Sequence, residues 1–326
     1  MLKKRLFKLK ISIMLLFLFL RMSHAQRIEL LPVCIIGKDT LNENEIFGEV
    51  TDLTISSNYI YVLDNKFSRV QKYDKSGKYL SSVGKKGEGP GEFGTDLRSI
   101  STDEKGNIIV GGMRKIYIFE ESGSFMRSFT VDFQMNDLCV DREDKILALG
   151  YKKDKIIHAY NQEGKYLFSF GEPFEAPLNF YKYKHFPVVK MPFKIFCTGS
   201  GKVYFVNPYK FEIYIYKNYD FDKKIEHHSN FFRPSWLLEH RGGFSLMCMS
   251  YAIFEQNDLL YVSLFDGEKG KSELILFRND KFSTSLKLDD FPVEIDSEGY
   301  LYSINNSETP HITKSIIKLA SHDLGP

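Results

Sequence analysis

Six times along the chain a short apolar run follows a turn: NYIYVLD (58–64), GNIIVGG (106–112), DKILALG (144–150), GKVYFVN (201–207), DLLYVSL (258–264) and GYLYSIN (299–305). Their middle residues are Tyr61, Ile109, Leu147, Tyr204, Tyr261 and Tyr302, with gaps of 48, 38, 57, 57 and 41 residues. A recurrence of this size marks a repeat architecture, in which one unit cannot bury its hydrophobic face alone. The runs are nearly continuous in apolar character rather than alternating, so both faces of each strand should be covered.

A second marker follows the first: VQKYDKSGKYLSSVG (70–84), IYIFEESGSFMRSF (116–129) and IHAYNQEGKYLFSFG (157–171). Each holds an aromatic–Gly–aromatic triplet: Tyr73/Gly77/Tyr79, Phe119/Gly123/Phe125 and Tyr160/Gly164/Tyr166. Glycine supplies the positive φ of a tight hairpin turn. Later copies keep the strands and lose the glycine, as in 213–226 and 274–288. The first marker has its own turn, Asp103–Gly106 or Asp296–Gly299, with Asp141–Asp144 as a variant. An aspartate opening such a turn can cap its own backbone, which is the structural reading of these carboxylates.

Each unit reads strand, turn, strand, loop, strand, turn, strand. With 28 Phe and 19 Tyr, the composition also leans toward pleated structure. Four antiparallel strands repeated six times predict an all-β, six-bladed β-propeller. The blades fall at about 50–93, 94–135, 136–175, 192–230, 243–290 and 291–320. The sixth lacks an outer strand, and RIELLPVCIIG (27–37) is a strand without a sheet. The two ends are therefore expected to pair and close the ring, which removes open sheet edges.

GKKGEGPGEF (84–93) crosses from the first blade to the second. It lacks the GK-[ST] and following helix of a phosphate-binding loop. With the DEKGNIIV that follows, and with DNKFSRVQKYDKSGKYL (64–80), it resembles an NHL repeat. The resemblance is specific over residues 58–112 and architectural elsewhere, and it implies an NHL/TolB-like six-bladed propeller of the exported bacterial type. It also implies that Arg69 is an inter-blade structural residue.

The first 25 residues look like an address: a basic n-region with Lys3, Lys4, Arg5, Lys8 and Lys10, the apolar run 11–20, and Ser23-His24-Ala25 as a cleavage site. The run is about half the roughly 20 residues that a spanning helix needs. Cleavage near Ala25-Gln26, one propeller over 26–326, no membrane span after cleavage and a periplasmic or cell-surface monomer are expected. A net charge of +2 gives no reason to expect nucleic acid. Cys34, Cys139, Cys197 and Cys248 sit far apart in apolar contexts with no CxxC, which favours buried thiols over disulfides.

Topology sorts the connections. Loops after the second and fourth strands of each blade emerge on one face, and turns after the first and third on the other. All the long segments fall on the first face, where binding residues concentrate on a rigid scaffold. Two aromatic-rich insertions stand out there, 172–193 and 230–243, the latter with Trp236, the only tryptophan. The expected function is non-catalytic recognition of a carbohydrate, a peptide or an envelope protein. Its contacts would be Tyr183, His185, Tyr209, Arg233, Trp236 and Arg241, with Arg98. Arg69, Arg114, Lys115, Lys153, Lys210 and Lys314 could ring a channel mouth with positive charge.

The competing reading is a metal-dependent hydrolase or lyase. Asp52, Asp96 and Asp137 each start an innermost strand, before a leucine, and three such carboxylates could hold Ca²⁺. The structural alternative is a repeated bond from Asp to a neighbouring backbone N–H. His158, His185, His240 and His311 lack ligand spacing but could converge on Zn²⁺ from different blades. No cofactor is expected on the leading reading, and Ca²⁺ on the alternative.

Overall fold

The computed structural model describes residues 26–38, 40, 42–94, 96–175, 193–240, 243–247 and 249–321. The strand β1 (Gln26–Ile36) comes first. Blade one is β2 (Val50–Ile55), β3 (Tyr59–Asp64), β4 (Arg69–Asp74) and β5 (Tyr79–Val83). Blade two is β6 (Leu97–Thr102), β7 (Ile108–Gly112), β8 (Lys115–Phe119) and β9 (Phe125–Thr130). Blade three is β10 (Asp137–Val140), β11 (Ile146–Lys152), β12 (Lys155–Tyr160) and β13 (Tyr166–Phe170). Blade four is β14 (Phe196–Cys197), β15 (Lys202–Val206), β16 (Glu212–Lys217) and β17 (Asp220–Glu226). A separate hairpin follows, β18 (Trp236–His240) with β19 (Gly243–Met247). Blade five is β20 (Ser250–Gln256), β21 (Leu259–Asp266), β22 (Lys271–Arg278) and β23 (Lys281–Leu288). Blade six is β24 (Phe291–Ile295), β25 (Tyr300–Asn305), β26 (His311–Ser321) and, outermost, β1.

The expected closure is present. β1 pairs antiparallel with β26 from Gln26↔Ser321 to Ile36↔Ile312, so one sheet joins the two ends of the chain. Each gap between neighbouring blades holds its own apolar cluster. Tyr61, Leu63, Val110 and Phe119 fill the gap between blades one and two, and Ile36, Val62, Tyr302 and Ile312 fill the closing gap. The middle strands carry apolar side chains on both faces because each packs against two neighbours.

The glycine-rich connector is a compact plug around Phe93, which is fully buried. Phe93 packs edge-on against Tyr117 and Phe119, at 5.1 and 5.5 Å between centroids. Gly84 has φ +73°, and a Cβ there would lie 2.1 Å from the Phe93 ring. Glycine is thus required by conformation and by space together.

The structure differs from expectation in two places. Residues 243–247 belong to the β18–β19 hairpin, and blade five starts at Ser250 rather than 243. The local pairing of 236–240 with 243–247 takes a strand-forming segment away from the blade. Cys139 and Cys197 are not thiols but a disulfide, with Cα atoms 5.8 Å apart. They lie on β10 and β14, the innermost strands of consecutive blades, which run side by side although 58 residues separate them in sequence. Among the described residues Cys34 is unpaired, and Cys248 lies outside them.

Candidate functional site

The six innermost strands surround a channel cavity of about 230 Å³. Its charged lining comes from five blades: Asp52 on β2, Asp137 on β10, Lys194 just before β14, Glu294 on β24, and Glu255 on β20, which is ion-paired to Lys202. The Lys194 ammonium lies 3.0 Å from Asp52 Oδ2 and 3.5 Å from Asp137 Oδ1. Both aspartates also accept a backbone N–H from the next blade. Ile100 N donates to Asp52 Oδ2 at 3.2 Å, and Ile195 N donates to Asp137 Oδ2 at 2.9 Å. At Asp52 and Asp137 the Asp-Leu motif is therefore an inter-blade tie.

Burial pushes the Asp137 carboxyl up, against the pull of Lys194. Burial alone would lower the Lys194 ammonium, but the charges of Asp137 and Asp52 outweigh it and hold it above its ordinary range. Among the described residues Glu294 has no cation within ion-pair distance, and burial, reinforced by the charge of Asp52, pushes its carboxyl up to about 8. A carboxyl in that state carries its proton at neutral pH and can donate a hydrogen bond.

Asp96 does not join this cluster. Its φ is +73°, and its carboxylate takes a 2.7 Å bond from Arg98, whose other nitrogen donates to Met135 O at 2.8 Å and to Asn136 Oδ1 at 3.2 Å. Arg98 is thus a strap from blade two to blade three. Among the described residues, no group of three or more His, Cys, Asp or Glu side chains is arranged to hold a metal ion. Where a cation would sit between Asp52 and Asp137, the chain supplies its own. His158 is buried, with Nε2 2.8 Å from Gly150 O and Nδ1 2.7 Å from Ser169 Oγ. His311 Nδ1 lies 2.8 Å from Thr309 O, in another blade. His185 and the side chain of His240 fall outside the described residues.

The described part of the second long connection lies on the face where the innermost strands start, and residues 176–192 of the first lie outside the described residues. Arg233 lies over the Trp236 ring at 4.6 Å and donates to Asp266 Oδ2 at 2.9 Å and to Glu268 Oε2 at 3.1 Å. The carboxylates fix the guanidinium, and the guanidinium fixes one face of the indole. Tyr209 sits in a turn whose backbone N–H bonds to Asn207 Oδ1 at 2.9 Å. Tyr183, His185 and Arg241 lie outside the described residues. On the opposite face the turns are closed by their aspartates. Asp103 Oδ1 accepts from Lys105 N and Asn107 N at 3.0 and 2.8 Å, and Asp141 and Asp296 repeat the pattern.

Of the six cations considered for a channel mouth, Lys314 is buried and donates to Lys75 O at 2.8 Å, clasping blade six to blade one. That bond and the Tyr300 ring, 4.0 Å from its ammonium, hold it out of the mouth. Arg69, which the resemblance implied to be an inter-blade residue, donates to Ile46 O at 2.7 Å, in the connection that leads from β1 into blade one. Sequence reasoning missed Lys194 and Glu294. A signal existed for the first: Lys194-Ile195 stands in series with Asp52-Leu53 and Asp137-Leu138, a charged residue before an aliphatic one at the start of an innermost strand.

A closed ring of six four-stranded blades, with long connections on one face and a self-neutralised channel, defines a six-bladed β-propeller. The chain belongs to the DUF5128 family of 6-bladed beta-propellers, whose model matches residues 29–232. No curated protein matches it by sequence. Among solved structures it is similar to a Bacteroides fragilis protein described as exported, with a TM-score of 0.61, 13% identity and coverage of 90% of this chain and 96% of that one. A member of the DUF4221 family from Bacteroides vulgatus gives 0.56 at 10% identity, covering 91% and 100%. Streptogramin B lyase gives 0.54 at 12%, covering 91% and 99%. Likeness at these identities speaks for the fold alone. Among the described residues, no helix is long and apolar enough to cross a membrane.

Proposed function

We propose that this protein is an exported recognition propeller whose long-loop face binds a carbohydrate, a peptide or an envelope protein, without catalysing a reaction. One observation carries the reading. Strand order puts the described elaborated connection, with the β18–β19 hairpin and the Arg233–Trp236 stack, on one face, while the other is closed by short self-capped turns. A preordered aromatic in such a setting presents contact area at low entropic cost. Export is supported separately by the signal-like first 25 residues and by the Cys139–Cys197 disulfide, since such bonds persist in oxidising compartments. The hydrolase or lyase reading loses support because Lys194 occupies the space between two of its three carboxylates.

Trp236 is the only tryptophan, so its fluorescence reports on this face directly. Envelope glycans and peptides titrated into the protein are expected to shift its emission, and Trp236→Ala with Tyr183→Ala to remove binding while far-UV circular dichroism stays unchanged. Ligands that bind both variants normally would show that the contact surface lies elsewhere. Localisation is checked by fractionation and by the mass of the mature N-terminus, expected at Gln26.

A further inference from the structure

Outside the channel, a groove of about 940 Å³ runs between blades four and five. One wall is the segment after β17, residues 227–231. The other is the face of β22 and β23 that carries Glu273, Phe282, Ser285 and Lys287. Glu273 forms a polar floor. It is 8% exposed and accepts hydrogen bonds from Ser229 Oγ at 2.6 Å and Ser285 Oγ at 2.9 Å.

An aromatic platform lies beside this floor. The His227 ring stacks on Phe282, with centroids 4.8 Å apart and planes at 12°, and is held edge-on by Phe211 and Phe277, each at 5.4 Å. Phe282 nevertheless remains 50% exposed. The lysines of the rim divide in two. Lys269 bonds to Asp266 and Lys271 to Asp289, but Lys287 and His228 have no hydrogen bond or ion pair among the described residues. The groove thus pairs an exposed flat apolar ring and a hydroxyl-and-carboxylate floor with Lys287 at the edge, cross-strand from Glu273, whose carboxylate oxygens are taken by the two serine hydroxyls.

We infer that this groove binds a carboxylated oligosaccharide of two or three sugars. The C–H face of one pyranose packs on Phe282, its hydroxyls bond to Glu273 and Ser229, and a sugar carboxylate meets Lys287 and His228. The volume lies within the roughly 300–1,000 Å³ usual for small-ligand sites. An acidic peptide fits the same charge less well. Its backbone amides need partners, and this wall offers side chains, because β22 and β23 spend their facing backbone groups on each other. The site stands apart from the Trp236 face, so either can fail without the other.

The test uses the full chain and three acidic trisaccharides, built from galacturonate, mannuronate or glucuronate units, with maltotriose as the uncharged control. Saturation-transfer NMR and calorimetry are expected to show at least one acidic sugar bound at least tenfold more tightly than maltotriose. Phe282→Ala and Lys287→Gln, both surface changes, should each weaken that sugar about tenfold, and Trp236→Ala should leave it unchanged. Failure of all three acidic sugars to bind at millimolar concentration would overturn the assignment, as would full binding retained by both groove variants. Equal binding of maltotriose would overturn the carboxylate contact, and tight binding of a poly-glutamate peptide with no sugar bound would assign the groove to acidic peptides instead.

Discussion

Lys194 of blade four reaches Asp52 of blade one, 3.0 Å away on the opposite side of the ring. One side chain thereby ties two blades that share no sheet, and it reaches Asp137 of blade three as well. Removing it leaves two carboxylates in a narrow cavity without their cation. Breaking one partner out of a buried ionic cluster costs about 3–5 kcal/mol. Lys194→Met is therefore expected to lower stability by roughly that amount in urea unfolding, with Asp52→Asn/Asp137→Asn/Lys194→Met recovering much of it. A single variant as stable as the parent would mean that the channel is wet enough to screen the charges.

The disulfide closes a loop of 58 residues that includes most of blade three and the insertion before blade four. In the chain-entropy description a loop of this size contributes about 4 kcal/mol. Cys139→Ser/Cys197→Ser, or dithiothreitol, should lower the unfolding midpoint accordingly. The mass of the parent after alkylation without reductant should show two cysteines blocked from reaction. Four modified cysteines in protein recovered from the envelope would contradict both the bond and the compartment it implies.

What the chain reveals before folding follows from the range of the interactions involved. Strand order, ring closure and the sidedness of the loops are legible because each blade is a local unit, written in turn glycines, capping aspartates and apolar runs. Ring position is written nowhere locally. Cys139 and Cys197 become neighbours only when consecutive innermost strands line the same channel, and Lys194 meets Asp52 only when the ring closes. Asp52, Asp96 and Asp137 look alike in sequence and differ in the structure, because Arg98 follows Asp96 and takes it out of the channel. The hairpin at 236–247 is hidden for the opposite reason: residues 243–247 have the strand character of a blade, and only their pairing with 236–240 shows that they bypass it.

Lys72 and Lys314 make the same clasp in different blades. Each lies over a tyrosine of its own blade, Tyr59 at 3.6 Å and Tyr300 at 4.0 Å, and donates to a turn carbonyl of the next blade, Glu121 O at 2.7 Å and Lys75 O at 2.8 Å. A hydrogen bond to a charged group contributes about 1.5–3 kcal/mol. Lys314→Met should destabilise by about that amount and raise amide exchange in the 74–78 turn, whereas Lys72→Met should do so at 120–124. Exchange that rises evenly over the ring in both variants would show that the clasps are not local.

Glu294 makes the stability of the ring depend on pH. Its folded-state carboxyl is raised to about 8 from an ordinary value of 4.5, because burial and the charge of Asp52 disfavour ionisation. A group raised in this way contributes stability that is complete below the unfolded value and is lost as pH climbs through the folded one. The window therefore runs from about pH 4.5 to 8, and each unit within it removes up to about 1.4 kcal/mol, less where channel water reaches the carboxyl. Asp137 is raised as well and acts in the same direction. Glu294→Gln keeps the shape and removes the titration, so its unfolding midpoint should match the parent near pH 5, exceed it by several degrees at pH 8, and show a shallower slope rather than none. Parallel curves for the two proteins across that window would mean that Glu294 titrates as an exposed carboxyl.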